Sequence, residues 1–151
     1  EGTSGANLDI LARLPMWEAG MDYKCGTGHG VGYLLSVHEG PQSFAITAPQ
    51  VPLRPGMVIT NEPGIYKDGE YGIRIENMLL VEEHRRTEID TFYRFDAFSL
   101  CPIDLDPLVK DMIEPDVLVW LNAYHAKVYR LLSPLLEADE AEWLKEATRP
   151  L

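Results

Sequence analysis

"MVITNEPGIYKDGEYGIRIENMLLVEE", residues 57–83, decides the fold. Two apolar runs flank Asp68-Gly69, a pair that favours a tight turn between antiparallel strands. The first run is short and breaks at Pro63-Gly64. The second, from Tyr71 to Glu83, reads as one continuous strand, the clearest in the chain. Along it Arg74 and Glu76 share one face, while Ile73 and Ile75 take the other. A carboxylate on a central apolar strand is costly unless it is paired or coordinates a cation. Glu62, held extended by the following Pro63, has the same problem. An ion pair with Arg74 would account for Glu76, but it would leave Glu62 without a partner. The reading is therefore a hairpin that brings two glutamates to one region.

Upstream, "KCGTGHGVGYLLSVHEGP", residues 24–41, places glycine at 26, 28, 30, 32 and 40 in an apolar setting. A dinucleotide fingerprint needs glycines at positions one, three and six, and Val31 occupies the sixth after Gly26 and Gly28. The frame that starts at Gly28 fails at Tyr33, and no Gly-Lys-Ser/Thr ending follows. Read as an extended strand, the stretch sets Gly28, Gly30 and Gly32 on one face and projects His29 from the other. A lone histidine on a crowded strand is more often a hydrogen-bonded core residue than a ligand. With two glutamates nearby it becomes part of a nitrogen-and-oxygen donor set, suited to manganese, cobalt, iron or zinc.

The rest of the chain frames these two stretches. "ANLDILARLPMWEAG" carries Leu8, Leu11, Ala12 and Trp17 at helical spacing, with Pro15 expected to bend the helix before Gly20. After Arg86 an aromatic, β-forming stretch runs into proline turns. A long helix is expected from Pro115, kinked at Ser133-Pro134, and a short one capped by Asp139 follows. Strands in the middle and helices at both ends make the class α+β. The 151 residues carry 24 acidic and 13 basic side chains, a formal net charge of -11, which disfavours nucleic acid and anionic membranes as partners. Two cysteines, Cys25 and Cys101, give no disulfide framework, so a cytoplasmic location is expected. No apolar run is long enough to span a membrane. The opening at Glu1 rather than methionine reads as the interior of a longer protein.

"GTGHGVGYLLSVHEGP", "LRPGMVITNEPGIY" and "YGIRIENMLLV" occur in the same order in the proline-specific metallopeptidases of the pita-bread fold. The chain most resembles the long form of the aminopeptidase P (Xaa-Pro aminopeptidase) family, across nearly all its length. The resemblance implies a curved, mostly antiparallel sheet with helices on its outer face. It divides the chain into the C-terminal half of a catalytic domain, 1–86, and a C-terminal tail, 87–151. It also implies roles. His29, Glu62 and Glu76 match metal ligands. Glu62 also matches the residue that moves the proton, and His38 the histidine that binds substrate near the scissile bond. Arg74 lines the proline-side pocket, near which Cys25 stands where the long form commonly has histidine. The implied cofactor is a pair of divalent ions, manganese ahead of zinc or cobalt. The implied substrates are peptides with proline second, and the implied assembly is a homodimer.

The family's metal pair also uses two aspartates upstream of the histidine motif. Asp9 and Asp22 do not match them. The isolated chain is therefore expected to be inactive, and hydrolysis of the Xaa-Pro bond to belong to the complete enzyme. An Xaa-Pro dipeptidase and a non-catalytic binding protein of the same fold are the alternatives.

Overall fold

The structure, a computed structural model, describes residues 1–34 and 36–151. They form two compact units, Glu1–Ser99 and Leu100–Leu151.

The first unit begins with helix α1, Gly5–Glu18. Ser4 and Asn7 cap it reciprocally, each side chain bonding the other's backbone N–H. Helix α1 continues through Pro15 to Glu18, because a proline in the last turn removes only one late hydrogen bond. Its buried face differs from the expected apolar stripe. Gly5, Asp9 and Arg13 are buried, Leu8 packs partly against the core, and Leu11 and Trp17 are exposed. The charged residues turn inward because each finds partners there.

Among the described residues seven strands follow, all paired antiparallel: β1 Gly28–His29, β2 Ser43–Phe44, β3 Val58–Asn61, β4 Gly64–Lys67, β5 Tyr71–Arg74, β6 Asn77–Arg86 and β7 Thr91–Ala97. The extended glycine stretch is shorter than expected. Among the described residues of that stretch, only Gly28 and His29 form a strand, with a further bridge from Gly30 to Ile59. Strands β3, β6 and β7 form one sheet in that order. Phe44, Leu53, Ile59 and Val81 make the core, flanked by Leu8, Met57, Leu79 and Tyr93.

The hairpin across Asp68-Gly69 forms, with Gly69 at positive φ in the turn. Its second arm is not one strand, because β5 stops at Arg74 and β6 starts at Asn77. The register Gly64↔Arg74 continues that of Asn61↔Asn77, so Glu62-Pro63 lies opposite Ile75-Glu76. Pro63 has no N–H for the ladder, and the Glu62 N–H donates instead to the Thr27 carbonyl at 2.7 Å. The ladder opens at those two residues on each arm. Both glutamates sit in the gap.

The second unit holds α2, Pro115–Leu132, then a 3-10 turn at Ser133–Leu135 and α3, Ala138–Ala147. Proline occupies the first turn of α2, where no intrahelical donor is lost. Helix α3 is capped by Glu137, paired reciprocally with Glu140, not by Asp139. Leu105, Leu121, Tyr124, Val128 and Leu144 are the buried apolar residues. Among the described residues, no helix is long and apolar enough to cross a membrane.

Candidate functional site

The glycines admit close backbone packing. A Cβ on Gly28 would overlap the carbonyl of Thr60, and one on Gly30 the carbonyl of Glu39. Their absence lets β1 lie directly against β3 and lets the following loop return over it. Gly30 N donates to Gln42 O at 3.0 Å, and Glu39 N donates to Gly30 O at 2.9 Å. The returning loop sets exposed His38 over His29, ring centroids 4.1 Å apart and tilted by 58°.

His29 is held from both ends. Its backbone N–H donates to Thr60 Oγ1 at 3.0 Å, and Thr60 Oγ1 donates to Glu62 Oε1 at 3.1 Å. Its Nδ1 lies 2.9 Å from the Gly30 carbonyl, which can only accept, so Nδ1 carries the proton. In the neutral ring Nε2 is then a lone pair, and it faces Glu62 Oε1 at 2.8 Å. Two acceptors at that separation need a positive charge between them, a proton or a metal ion.

The other Glu62 oxygen, Oε2, pairs with Arg74 Nη1 at 3.2 Å. Partial burial works against the Arg74 charge, but Tyr66, Glu62 and Cys25 outweigh it and raise its pKa above the ordinary arginine value. Arg74 thus pairs with Glu62, not with Glu76, and Glu62 is not left without a partner. Glu76 is exposed in the ladder gap opposite Glu62. Cys25 Sγ lies 3.7 Å from the Gly64 carbonyl. Cys25, His29, His38, Ser43, Glu62 and Arg74 line one cleft.

His29, His38 and Glu62 each offer a ligand atom, all within 4.8 Å of one another. Two imidazoles and a carboxylate fit a borderline divalent cation by donor chemistry, and the 2.8 Å contact of His29 Nε2 with Glu62 Oε1 marks where positive charge belongs. Glu76 is outside this convergent group, although the hairpin register faces it towards Glu62. Thr60, which joins His29 to Glu62, escapes a sequence reading because a threonine on a strand carries no distinguishing signal. Asp9 and Arg13 left a clearer trace, an opposite-charge pair four apart on a helix.

A model of metallopeptidase family M24 matches residues 1–83, and one of the C-terminal region of peptidase M24 matches residues 91–151. The chain belongs to metallopeptidase family M24. It is 46% identical over 162 residues to Aminopeptidase P1 of Arabidopsis thaliana, covering all of this chain and 24% of that protein. A probable Xaa-Pro aminopeptidase P of Coprinopsis cinerea is 40% identical and covers 99% of this chain and 25% of its own length. The crystal structure of X-prolyl aminopeptidase from Caenorhabditis elegans, described as a cytosolic enzyme with a di-nuclear active site, superposes with a TM-score of 0.92 at 38% identity. That match covers the whole chain and 25% of the worm protein. This M24 chain therefore spans about a quarter of the length of the curated relatives it matches.

Proposed function

We propose that this M24 chain supplies part of the active site of an Xaa-Pro aminopeptidase, which removes the N-terminal residue in front of a proline. The observation that carries the reading is the His29 Nε2–Glu62 Oε1 contact, two acceptors facing each other in a cleft that also holds His38 and Arg74. In the complete enzyme His29, Glu62 and Glu76 would hold the metal pair together with ligands outside this chain. Manganese is the first assignment. When bound, two divalent ions would supply the positive charge that acidifies a water molecule and polarises the carbonyl before proline.

The chain's own residues divide the remaining work. Glu62 takes the proton from the attacking water and returns it to the departing proline nitrogen. Its second oxygen is held by Arg74, so the carboxylate keeps one orientation through the transfer. His38, exposed on the loop over His29, donates to the carbonyl oxygen as negative charge develops there. Arg74 and Cys25 stand on the wall assigned to the proline side. The match of the whole chain, residues 91–151 included, to an X-prolyl aminopeptidase supports this reading over an Xaa-Pro dipeptidase. Retention of His29, His38, Glu62, Arg74 and Glu76 together supports it over a non-catalytic relative. A cytoplasmic, homodimeric enzyme acting on peptides, not on nucleic acid or membranes, completes the proposal.

The test is to assay the full-length protein with manganese against an Xaa-Pro-Xaa tripeptide, an Xaa-Pro dipeptide and an Xaa-Ala-Xaa control. Chelator-sensitive cleavage of the tripeptide after its first residue is expected, with the control spared. Preference for the dipeptide would favour the dipeptidase, and no cleavage of any would leave a binding protein.

A further inference from the structure

Helix α1 buries a charged stripe whose outer ends reach the cleft. The Arg13 side chain is 4% exposed and that of Asp9 0%. Arg13 Nε donates to Asp9 Oδ2 at 2.6 Å, and Nη1 donates to the Tyr23 carbonyl at 2.7 Å and to Asp22 Oδ1 at 3.1 Å. Nη2 donates to the Cys25 carbonyl at 3.0 Å. The guanidinium also lies over the Tyr23 ring, 4.1 Å from its centroid. One side chain thus pins the main chain at both Tyr23 and Cys25, and Cys25 lines the cleft.

The second arm leaves from Asp9. Thr27 Oγ1 lies 2.5 Å from Asp9 Oδ1 and 2.6 Å from the Tyr23 hydroxyl. Asp9 can only accept, so the threonine donates to it and accepts from the tyrosine. With its side chain fixed, Thr27 presents its carbonyl to the Glu62 N–H at 2.7 Å. That bond replaces the ladder contact that the Pro63 gap removes. Glu62 therefore takes its backbone position from Thr27, and Thr27 takes its own from Asp9.

We infer that Asp9, Arg13 and Thr27 are positioning residues for the hydrolytic site, with two separable arms. The Asp9–Thr27 arm sets the Glu62 carboxylate, and the Arg13 arm sets the substrate wall at Cys25. This rests on the proposed peptidase reading. None of the three touches the reacting atoms. A purely structural role would lower the melting temperature and the folded fraction while leaving metal affinity and KM per folded molecule unchanged.

The full-length protein separates these cases. In Thr27→Val, which keeps the shape and loses the hydroxyl, Mn²⁺ titrated into the metal-free protein should bind about tenfold or more weakly. kcat on an Xaa-Pro-Xaa tripeptide should fall by about tenfold to a hundredfold with KM unchanged, and Thr27→Ser should restore both. Arg13→Lys keeps the charge but cannot fork to both carbonyls, so KM should rise with Mn²⁺ affinity unchanged. Wild-type Mn²⁺ affinity and kcat in Thr27→Val overturn the first arm, and an unchanged KM in folded Arg13→Lys overturns the second. If Thr27→Val does not fold, Thr27→Ala takes its place with the same expected result and the same overturning result. A wild-type protein that binds Mn²⁺ but cleaves no Xaa-Pro peptide defeats the peptidase reading, while the titrations still judge the Thr27 arm. One that binds no Mn²⁺ overturns both.

Discussion

Each unit buries polar side chains, but they are partnered differently. In the first, Asp9 and Arg13 are enclosed, and Arg13 alone donates to four acceptors. In the second, His125 is fully enclosed and Tyr124 nearly so. Tyr124 donates to the Cys101 carbonyl at 2.8 Å, and His125 Nε2 accepts from Ile103 N at 3.0 Å, which holds the 101–103 segment against α2. The other His125 nitrogen, Nδ1, approaches the main chain at Arg149 without a well-formed hydrogen bond. Where a carboxylate must be aimed, the polar groups interlock. Where a segment is only fastened, single contacts from each side chain to the main chain suffice.

Removing a partner should therefore cost far more in the first unit. Arg13→Ala leaves Asp9 charged and buried, and should destabilise the full-length protein by about 3–5 kcal/mol in denaturant titrations. Tyr124→Phe removes the hydroxyl that bonds the Cys101 main chain and should cost about 1 kcal/mol. Equal costs would break the comparison.

The smaller effect is one of pH. Burial lowers the pKa of His125 below the ordinary histidine value, and protonation of Nε2 would expel the Ile103 N–H. The unfolded chain then binds a proton that the folded chain refuses, so the stability is complete above about pH 6.5 and is lost as pH falls towards the depressed value. Hydrogen exchange of α2 peptides in the full-length protein should quicken across that range, and His125→Gln should remove the dependence. Unchanged acid sensitivity in the variant would place the titrating group elsewhere.

Much of this was legible in the residues. Asp68-Gly69 between two apolar runs gave the hairpin, and the spacing from Val117 to Leu132 gave α2. His29 and Glu62 stood out because an imidazole among glycines and a carboxylate before proline both need partners. The break at Ile75-Glu76 was hidden because its cause is on the other arm, at Pro63. The inward charges of α1 were hidden for a related reason. Leu11 and Trp17 sit at helical spacing, and only the carbonyls of Tyr23 and Cys25, which accept from Arg13, and the Thr27 hydroxyl, which donates to Asp9, explain why Asp9 and Arg13 take the buried face instead.

The most direct test is the metal content of the purified full-length protein beside its His29→Ala variant, with turnover of an Xaa-Pro-Xaa tripeptide measured on the same samples. The account predicts two divalent ions per wild-type chain, and fewer with no measurable turnover in the variant. A variant that keeps both ions and wild-type turnover would contradict it.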